Sequence, residues 1–248
     1  MVMVSVHFDI ISLFPEYFKG PLSCGTLRIA LEKGAIKVHI TNPRDFTEDG
    51  TVDDYQFGGG AGMVLKPEPI ARAIEEVKRN DSLLINFTPT GKILNQRLVQ
   101  DLIKQPHIIL LCGRYKGIDE RINILYKPLE ISVGDYVLAG GEVAALVLIE
   151  AVARLLPNVL GNIDSAEDDS LQNGLLAADI YTRPATYKTL KVPQVLRSGD
   201  HKKIAWWRRK ESLKKTLKRR PDLLGKLTMS KEDLDLILEV LDEGKSGF

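Results

Sequence analysis

Ile131-Ser132-Val133-Gly134-Asp135-Tyr136-Val137-Leu138-Ala139-Gly140-Gly141-Glu142 reads as a short apolar strand, a glycine-punctuated loop and the opening of a long apolar helix. Three glycines let a backbone turn sharply and come close to a ligand. Side chains are scarce there, so recognition falls to peptide N–H and C=O groups, which suits a flat polar heterocycle such as adenine. Two other strand ends run into turn-rich segments, Thr88-Pro89-Thr90-Gly91 and Gly113-Arg114-Tyr115-Lys116-Gly117. Ligands of open α/β sheets gather at the carboxyl ends of strands, so the three loops are predicted to converge on one pocket.

Other residues could carry chemistry. Gly58-Gly59-Gly60-Ala61-Gly62 could cradle a phosphate through its N–H groups or be a mobile loop. It lacks the Gly-Lys-Ser/Thr ending of an NTP-hydrolysing loop, and no dinucleotide fingerprint follows a strand. Asp119, Glu120 and Arg121 read either as part of a site or as surface ion pairs. Arg154 interrupts an apolar helix. Facing the core it would need an acid, with Asp168 and Asp169 as candidates; otherwise its stem packs and its head reaches water. Two distant cysteines, Cys24 and Cys112, fit the reduced thiols of a cytosolic protein. The four histidines (His7, His39, His107, His201) are scattered along the chain, so no zinc site is expected.

These residues need elements to position them. Buried strands are predicted at Val4–Leu13, Leu83–Phe87, His107–Cys112 and Leu129–Val133, with a partly alternating one at Ile36–Thr41. Helices are predicted at Leu27–Glu32, from Pro67 with the stripe Ile70, Ala73, Ile74, Val77, after the cap Asn95, and over Glu142–Leu156. Asn42–Met63 reads as one long loop. Alternating strands and helices imply an α/β domain with a largely parallel sheet. Beyond Pro157 the acidic stretch Gly161–Asn173 lacks periodicity and reads as a linker. The remainder is helical: Trp206, Leu213 and Leu217 share one face of a basic helix. Ser230 and Asp233 cap a last helix striped with Leu234, Ile237, Leu238 and Leu241. The expected units are 1–160, a linker at 161–174 and a helical 175–248.

Bulk charge is close to neutral, at +1, but unevenly spread. Arg183–Arg220 holds 14 Lys+Arg against two acids, leaving 20 basic and 31 acidic residues elsewhere. That block, with Trp206-Trp207 inside it, points to a polyanion such as RNA or DNA rather than only a solvated helix face. Apolar residues at 44% and charged residues at 27% are ordinary for a soluble globular chain. The longest apolar run, Val143–Leu156, is too short to span a bilayer, and the first residues read as a strand rather than a leader. A cytoplasmic location is expected.

In this order the motifs resemble the bacterial tRNA (guanine-N1)-methyltransferases of the trefoil-knot (SPOUT) class, over about Phe8–Leu224. Ile11-Ser12-Leu13-Phe14-Pro15, Pro43-Arg44-Asp45-Phe46-Thr47, Val52-Asp53-Asp54 with Gly58-Gly59-Gly60, and Cys112-Gly113-Arg114-Tyr115 carry the likeness. Gly117-Ile118-Asp119-Glu120-Arg121, the Gly134–Glu142 loop, Gly174-Leu175-Leu176, Tyr181-Thr182-Arg183-Pro184 and Arg219-Arg220-Pro221 complete it.

The resemblance implies a deeply knotted N-terminal α/β domain, which backbone physics alone would argue against, plus a small all-α C-terminal domain. It implies S-adenosyl-L-methionine held by Phe87, Thr88, Pro89, Gly113, Val133, Gly134, Asp135, Tyr136, Val137, Leu138, Gly140 and Gly141. It further implies a homodimer with active sites shared between subunits, and a product methylated at guanine N1 just 3′ of the tRNA anticodon. Asp169 matches the family's general base, with Asp168 competing, and Arg154 matches an arginine that stabilises guanine O6 or orients Asp169. The flanking nucleotides fall to the basic block, with Arg183, Lys202, Arg208, Arg209 and Lys214, and to the Pro43–Gly62 loop, with Gly59. A magnesium dependence comes with the family, but no site for Mg2+ is assignable from the sequence. Departures are the short Glu48-Asp49-Gly50-Thr51 loop, Lys116 for a common glutamate, Ala144 for a frequent proline, and Ala177-Ala178-Asp179-Ile180 for a usual Asp-x-Pro-His. Asp179 is a candidate to replace the lost acid. Two rivals stand beside this reading: a related knotted methyltransferase with another RNA or base target, and a non-catalytic RNA-binding module.

Overall fold

A computed structural model describes residues 5–160 and 169–245. Asp168 lies outside the described residues. The chain divides into two compact units, residues 1–163 and 164–248.

The first unit is built on a five-stranded, wholly parallel sheet: β1 (Val6–Ile11), β2 (Ile36–Thr41), β5 (Ser82–Ile93), β6 (His107–Leu111) and β7 (Leu129–Ser132), in the spatial order β2-β1-β6-β5-β7. β6 is the centre, and all five of its residues are buried, as its nearly pure apolar run predicts. Successive side chains point to opposite faces. Ile108 and Leu110 join one apolar cluster, Ile109 and Leu111 the other. On the first face pack α1 (Glu16–Leu22), α2 (Gly25–Glu32), α4 (Gln96–Leu102) and α6 (Glu142–Ala153). On the second lies α3 (Pro67–Val77), burying Ile70, Ala73, Ile74 and Val77 as predicted, with Ile122 of α5 (Glu120–Tyr126). Each fully buried branched side chain contributes about 1.5–3 kcal/mol, so these two clusters dominate the unit's stability. Asn95 caps α4, its Oδ1 accepting from Leu98 N at 3.0 Å.

Three local expectations change. Asn42–Met63 is not one loop: Pro43–Phe46 forms a 3-10 turn capped by Asn42, and β3 (Asp53–Tyr55) pairs antiparallel with β4 (Met63–Leu65). β5 does not stop at Phe87. Phe87 and Lys92 both register with Ile131, so residues 88–91 bulge out of a strand that then resumes. Finally, α6 ends at Ala153 rather than Leu156, since Pro157 disfavours helical geometry at the residue before it. Arg154 is the C-cap and is exposed, on the same face as Val143 and Val147, so it does not face the core. α6 buries Ala145, Leu148, Ile149 and Val152, and position 154 falls opposite that face.

Among its described residues the second unit holds a hairpin of two-residue strands, β8 (Thr186–Tyr187) and β9 (Leu190–Lys191), a 3-10 turn at Gln194–Arg197, and the α-helices α7 (His201–Arg219), α8 (Pro221–Leu224) and α9 (Lys231–Lys245). Its core is small: Leu175, Leu213 and Leu236, flanked by Leu224, Leu227 and Ile237. Ser230 and Asp233 form the predicted reciprocal cap. The buried face of α9 is nonetheless Asp233, Leu236 and Val240, and Leu234, Leu238 and Leu241 are exposed. Both stripes are apolar. The fork of Arg209 on Asp233, at 2.7 and 2.8 Å, turns the second of them toward α7. Trp206 is likewise exposed, under Lys210 Nζ, and Thr216 takes a place on the buried side of α7 beside Leu213.

Candidate functional site

The bulge of β5 and the carboxyl ends of β6 and β7 line an open cavity of about 720 Å3, a size that accommodates a cofactor or drug-sized molecule. The three predicted loops do converge. Phe87, Thr88, Pro89, Gly113, Val133, Gly134, Tyr136, Val137, Leu138, Gly140 and Gly141 all line the cavity. Asp135 does not. Tyr136 N donates to Gly134 O and Tyr136 Oη to Val133 O, a tight turn that leaves Asp135 exposed at its tip.

Close approach of backbone at one and of a ring at the other explains two of the glycines. Gly141 N donates to Gly113 O at 3.0 Å, and a Cβ at Gly141 would lie 2.7 Å from Cys112 Cα. Gly134 has φ +152°, and a Cβ there would run into the Tyr136 ring. Residues 133–139 belong to no helix or strand; local bonds engage Gly134 N, Tyr136 N and the carbonyls of Val133, Gly134 and Ala139, and the peptide groups of Val137 and Leu138 lie outside those bonds.

Behind this wall lies a network that sequence reading missed. Glu142, at the start of α6, is 1% exposed. Its Oε1 accepts from Ser12 Oγ at 2.8 Å and from Arg114 Nε at 3.1 Å. Oε2 lies 3.0 Å from the same Nε yet makes no hydrogen bond among the described residues. The Arg114 guanidinium sits 4.4 Å from the Phe14 ring centre and 5.1 Å from that of Tyr17. One buried ion pair therefore ties the loops after β1 and β6 to the helix behind the glycine loop. A signal was available: an acid opening an otherwise apolar helix requires a buried partner. Burial, reinforced by the Glu142 charge, pushes the Cys112 thiol well above its usual range, so it stays protonated and is no nucleophile.

Asp119 proves to be the N-cap of α5 and is forked by Arg121, both hydrogen bonds 2.8 Å long. The ion-pair reading thus holds for Asp119 and Arg121, whereas Glu120 accepts from Asn123 Nδ2 at 2.9 Å and lines the cavity. Lys116 lines the cavity, and its stem packs on Gly62, at the base of the Gly58–Gly62 loop. Gly59 sits in that loop with φ +76° but does not line the cavity.

The second unit carries its own cleft, of about 1000 Å3. Asp169, Asp179, Tyr181, Arg183, Arg208 and Arg209 line it. Lys202 and Lys214, on α7, are exposed and do not. Asp179 Oδ1 lies 2.6 Å from Lys215 Nζ, which holds its carboxyl below the usual range. Arg209 is committed to Asp233. An acid and several cations sharing one cleft can hold a polyanion and move a proton. Arg154 belongs to the first unit and Asp169 to the second.

Residues 6–226 match the tRNA (Guanine-1)-methyltransferase TrmD family. A tRNA (guanine-N(1)-)-methyltransferase of Dictyoglomus turgidum is 49% identical over 240 residues, 96% of this chain and 98% of the relative. A protein of the same name from Carboxydothermus hydrogenoformans is 50% identical over 234 residues, covering 94% and 92%. Another, from Synechococcus sp. strain JA-2-3B'a(2-13), is 49% identical over 245 residues and 98% of each chain. This chain belongs to the tRNA (guanine-1)-methyltransferase family.

Proposed function

We propose that this protein methylates tRNA at N1 of the guanosine immediately 3′ of the anticodon (position 37), using S-adenosyl-L-methionine and acting as a homodimer in the cytoplasm. The observation that carries the reading is the glycine-loop cavity at the β5 bulge and the carboxyl ends of β6 and β7, in a chain of this family. Its residues fit the cofactor: the glycine approach at Gly141 leaves room where a Cβ would intrude, and the peptide groups of Val137 and Leu138, outside the loop's own hydrogen bonds, suit the edge of an adenine. When bound, S-adenosyl-L-methionine supplies an electrophilic methyl group. Lys116 brings a positive charge to the cavity wall, where the resemblance implies a carboxylate, so it favours the cofactor's carboxylate over its ammonium group.

Guanine N1 is protonated at neutral pH and becomes nucleophilic only when that proton leaves. Asp169 accepts it, a contribution of about 10²–10⁴-fold. Negative charge then grows on guanine O6, where Arg154 opposes it or holds Asp169 in line. Arg183 and Arg208 in the cleft, with Lys202 and Lys214 outside it, hold phosphates, and Gly59 supports the target nucleotide from the glycine loop. Magnesium, if required, acts through the RNA or a transient site. The reading includes the family's deep knot within residues 1–160, a linker at 161–174 and a tRNA-binding domain at 175–248.

A homodimer draws support from α6. Val143 and Val147 are 45% and 47% exposed on the face that also carries Arg154, and Val137 in the glycine loop is 86% exposed. A second copy covering this face would bury apolar surface and put Arg154 at a shared active site. Among the described residues no helix is long and apolar enough to cross a membrane.

The test is mass spectrometry of tRNA after incubation with the protein and labelled cofactor. One labelled 1-methylguanosine 3′ of the anticodon, absent from a transcript with adenosine there, is expected. Label on another base, or none despite saturable cofactor binding, would overturn the assignment.

A further inference from the structure

Three of the four histidines, distant in sequence, converge on one buried carboxylate. Asp9 of β1 is 3% exposed. His107, first in β6, is 1% exposed, and its Nε2 lies 2.5 Å from Asp9 Oδ2. His7, two residues before Asp9 on the same strand face, brings its Nε2 to 4.0 Å from that oxygen. On the other side His39 Nδ1 holds Asp9 Oδ1 at 3.0 Å. One ligand atom each from His7, Asp9 and His107 lie within 4.8 Å of one another. The group sits toward the amino ends of the strands. Six residues of extended chain along β6, about 20 Å, separate His107 from Gly113 and the cofactor cavity.

We propose that His7, Asp9 and His107 form a binding site for a divalent transition-metal ion of the zinc class. Two imidazoles and a carboxylate are the donor set of such ions, whereas magnesium takes oxygen ligands and retains water. Three protein ligands and a solvent position complete a tetrahedron. Bonds of about 2.0–2.2 Å place tetrahedral ligands roughly 3.4 Å apart, so Asp9 and His107 open and His7 closes by about 1 Å. The second layer is already present. Ser82 Oγ lies 2.6 Å from His107 Nδ1 and orients the ring so that Nε2 faces inward, while His39 anchors the far carboxylate oxygen. A competing cation stands at the door: an Arg79 guanidinium nitrogen is 2.9 Å from His7 Nδ1 and 3.7 Å from Asp9 Oδ2. Arg79 is half exposed and can withdraw into solvent. Filled, the site clips β1 to β6 at the end of the sheet opposite the cofactor.

Cobalt(II) titrated into the untagged full chain reads this directly, because a tetrahedral site gives visible absorption bands. One equivalent with such bands is expected. His7→Ala, at a half-buried position the fold tolerates, weakens binding at least tenfold, and zinc displaces the bands. Arg79→Gln strengthens binding, and His201→Ala, in the other unit, leaves it unchanged. Absence of saturable binding in the unaltered chain, equal affinity in His7→Ala, or loss of binding in His201→Ala would overturn the proposal.

Discussion

The cavity of the first unit and the cleft of the second are built by different means. The cavity wall is peptide backbone, held by a fully buried Glu142, an Arg114 wedged against two rings and a glycine in backbone contact. The cleft wall sets charged side chains such as Asp169, Asp179, Arg183 and Arg208 among apolar ones such as Ile180, Leu196 and Ile204, over a core of three buried leucines. A wall of the first kind is rigid before ligand arrives and selects by shape. One of the second kind adapts, attracts at a distance and is screened by salt. A reaction joining a small, defined cofactor to a large polyanion uses both.

The largest expected separation between the two regions is Asp169→Asn. Turnover should fall by about 10²–10⁴-fold while cofactor affinity stays within a factor of two, measured by methyl transfer and calorimetry. Near-normal turnover would remove Asp169 from its role. Glu142→Ala tests the other wall. Breaking a buried pair leaves Arg114 uncompensated and costs about 3–5 kcal/mol, read as a lower denaturation midpoint for the first unit. A loss below about 1 kcal/mol would show the pair to be solvated like those on the surface. Gly141→Ala forces a backbone shift at Cys112 and Gly113. An overpacking cost of about 1–3 kcal/mol should appear mainly as weaker cofactor binding, with tRNA affinity retained.

Smaller effects sharpen the second region. Arg209 holds the Asp233 carboxyl down to about 2, below its ordinary 3.8. The pair's stabilisation is therefore full above the unfolded value, drains as pH falls through the folded one, and is absent in stronger acid. Because Arg209 is partly exposed, the effect is discounted to about 1 kcal/mol. Acid titration of helical signal in Asp233→Asn should lack this step. Least of all, Lys202→Ala should reduce the salt slope of tRNA binding by about one ion without changing which base is methylated.

The parallel sheet was legible because its central strands are buried on both faces and are mostly apolar, Ile108–Leu111 of β6 most plainly, although His7 and Asp9 interrupt β1 and Lys37 and His39 interrupt β2. α3 was legible because only one stripe of it is apolar. α9 was misread for the opposite reason: Leu234/Leu238/Leu241 and Leu236/Val240 are two acceptable faces, and an ion pair to another helix chose between them. The bulge at residues 88–91 was hidden because strand and turn residues alternate there, and only the register on β7 shows the strand resuming at Lys92. The cavity loops could be named from glycine spacing and strand ends, all but Asp135, which a local turn points away. Ser12, Arg114 and Glu142 lie in three separate segments, and nothing local joins them.

Composition and periodicity by themselves determined the α/β class, the elements of the sheet, the convergence of three glycine-bearing loops and the basic character of the second half. These follow from near-neighbour patterns, because burial and backbone freedom are written into residue type. Tertiary structure alone decided which charges meet: Glu142 with Arg114, Asp233 with Arg209, and three scattered histidines around Asp9. Pairing energies depend on distance in space and on exclusion of water, and neither quantity exists until the strands are laid side by side.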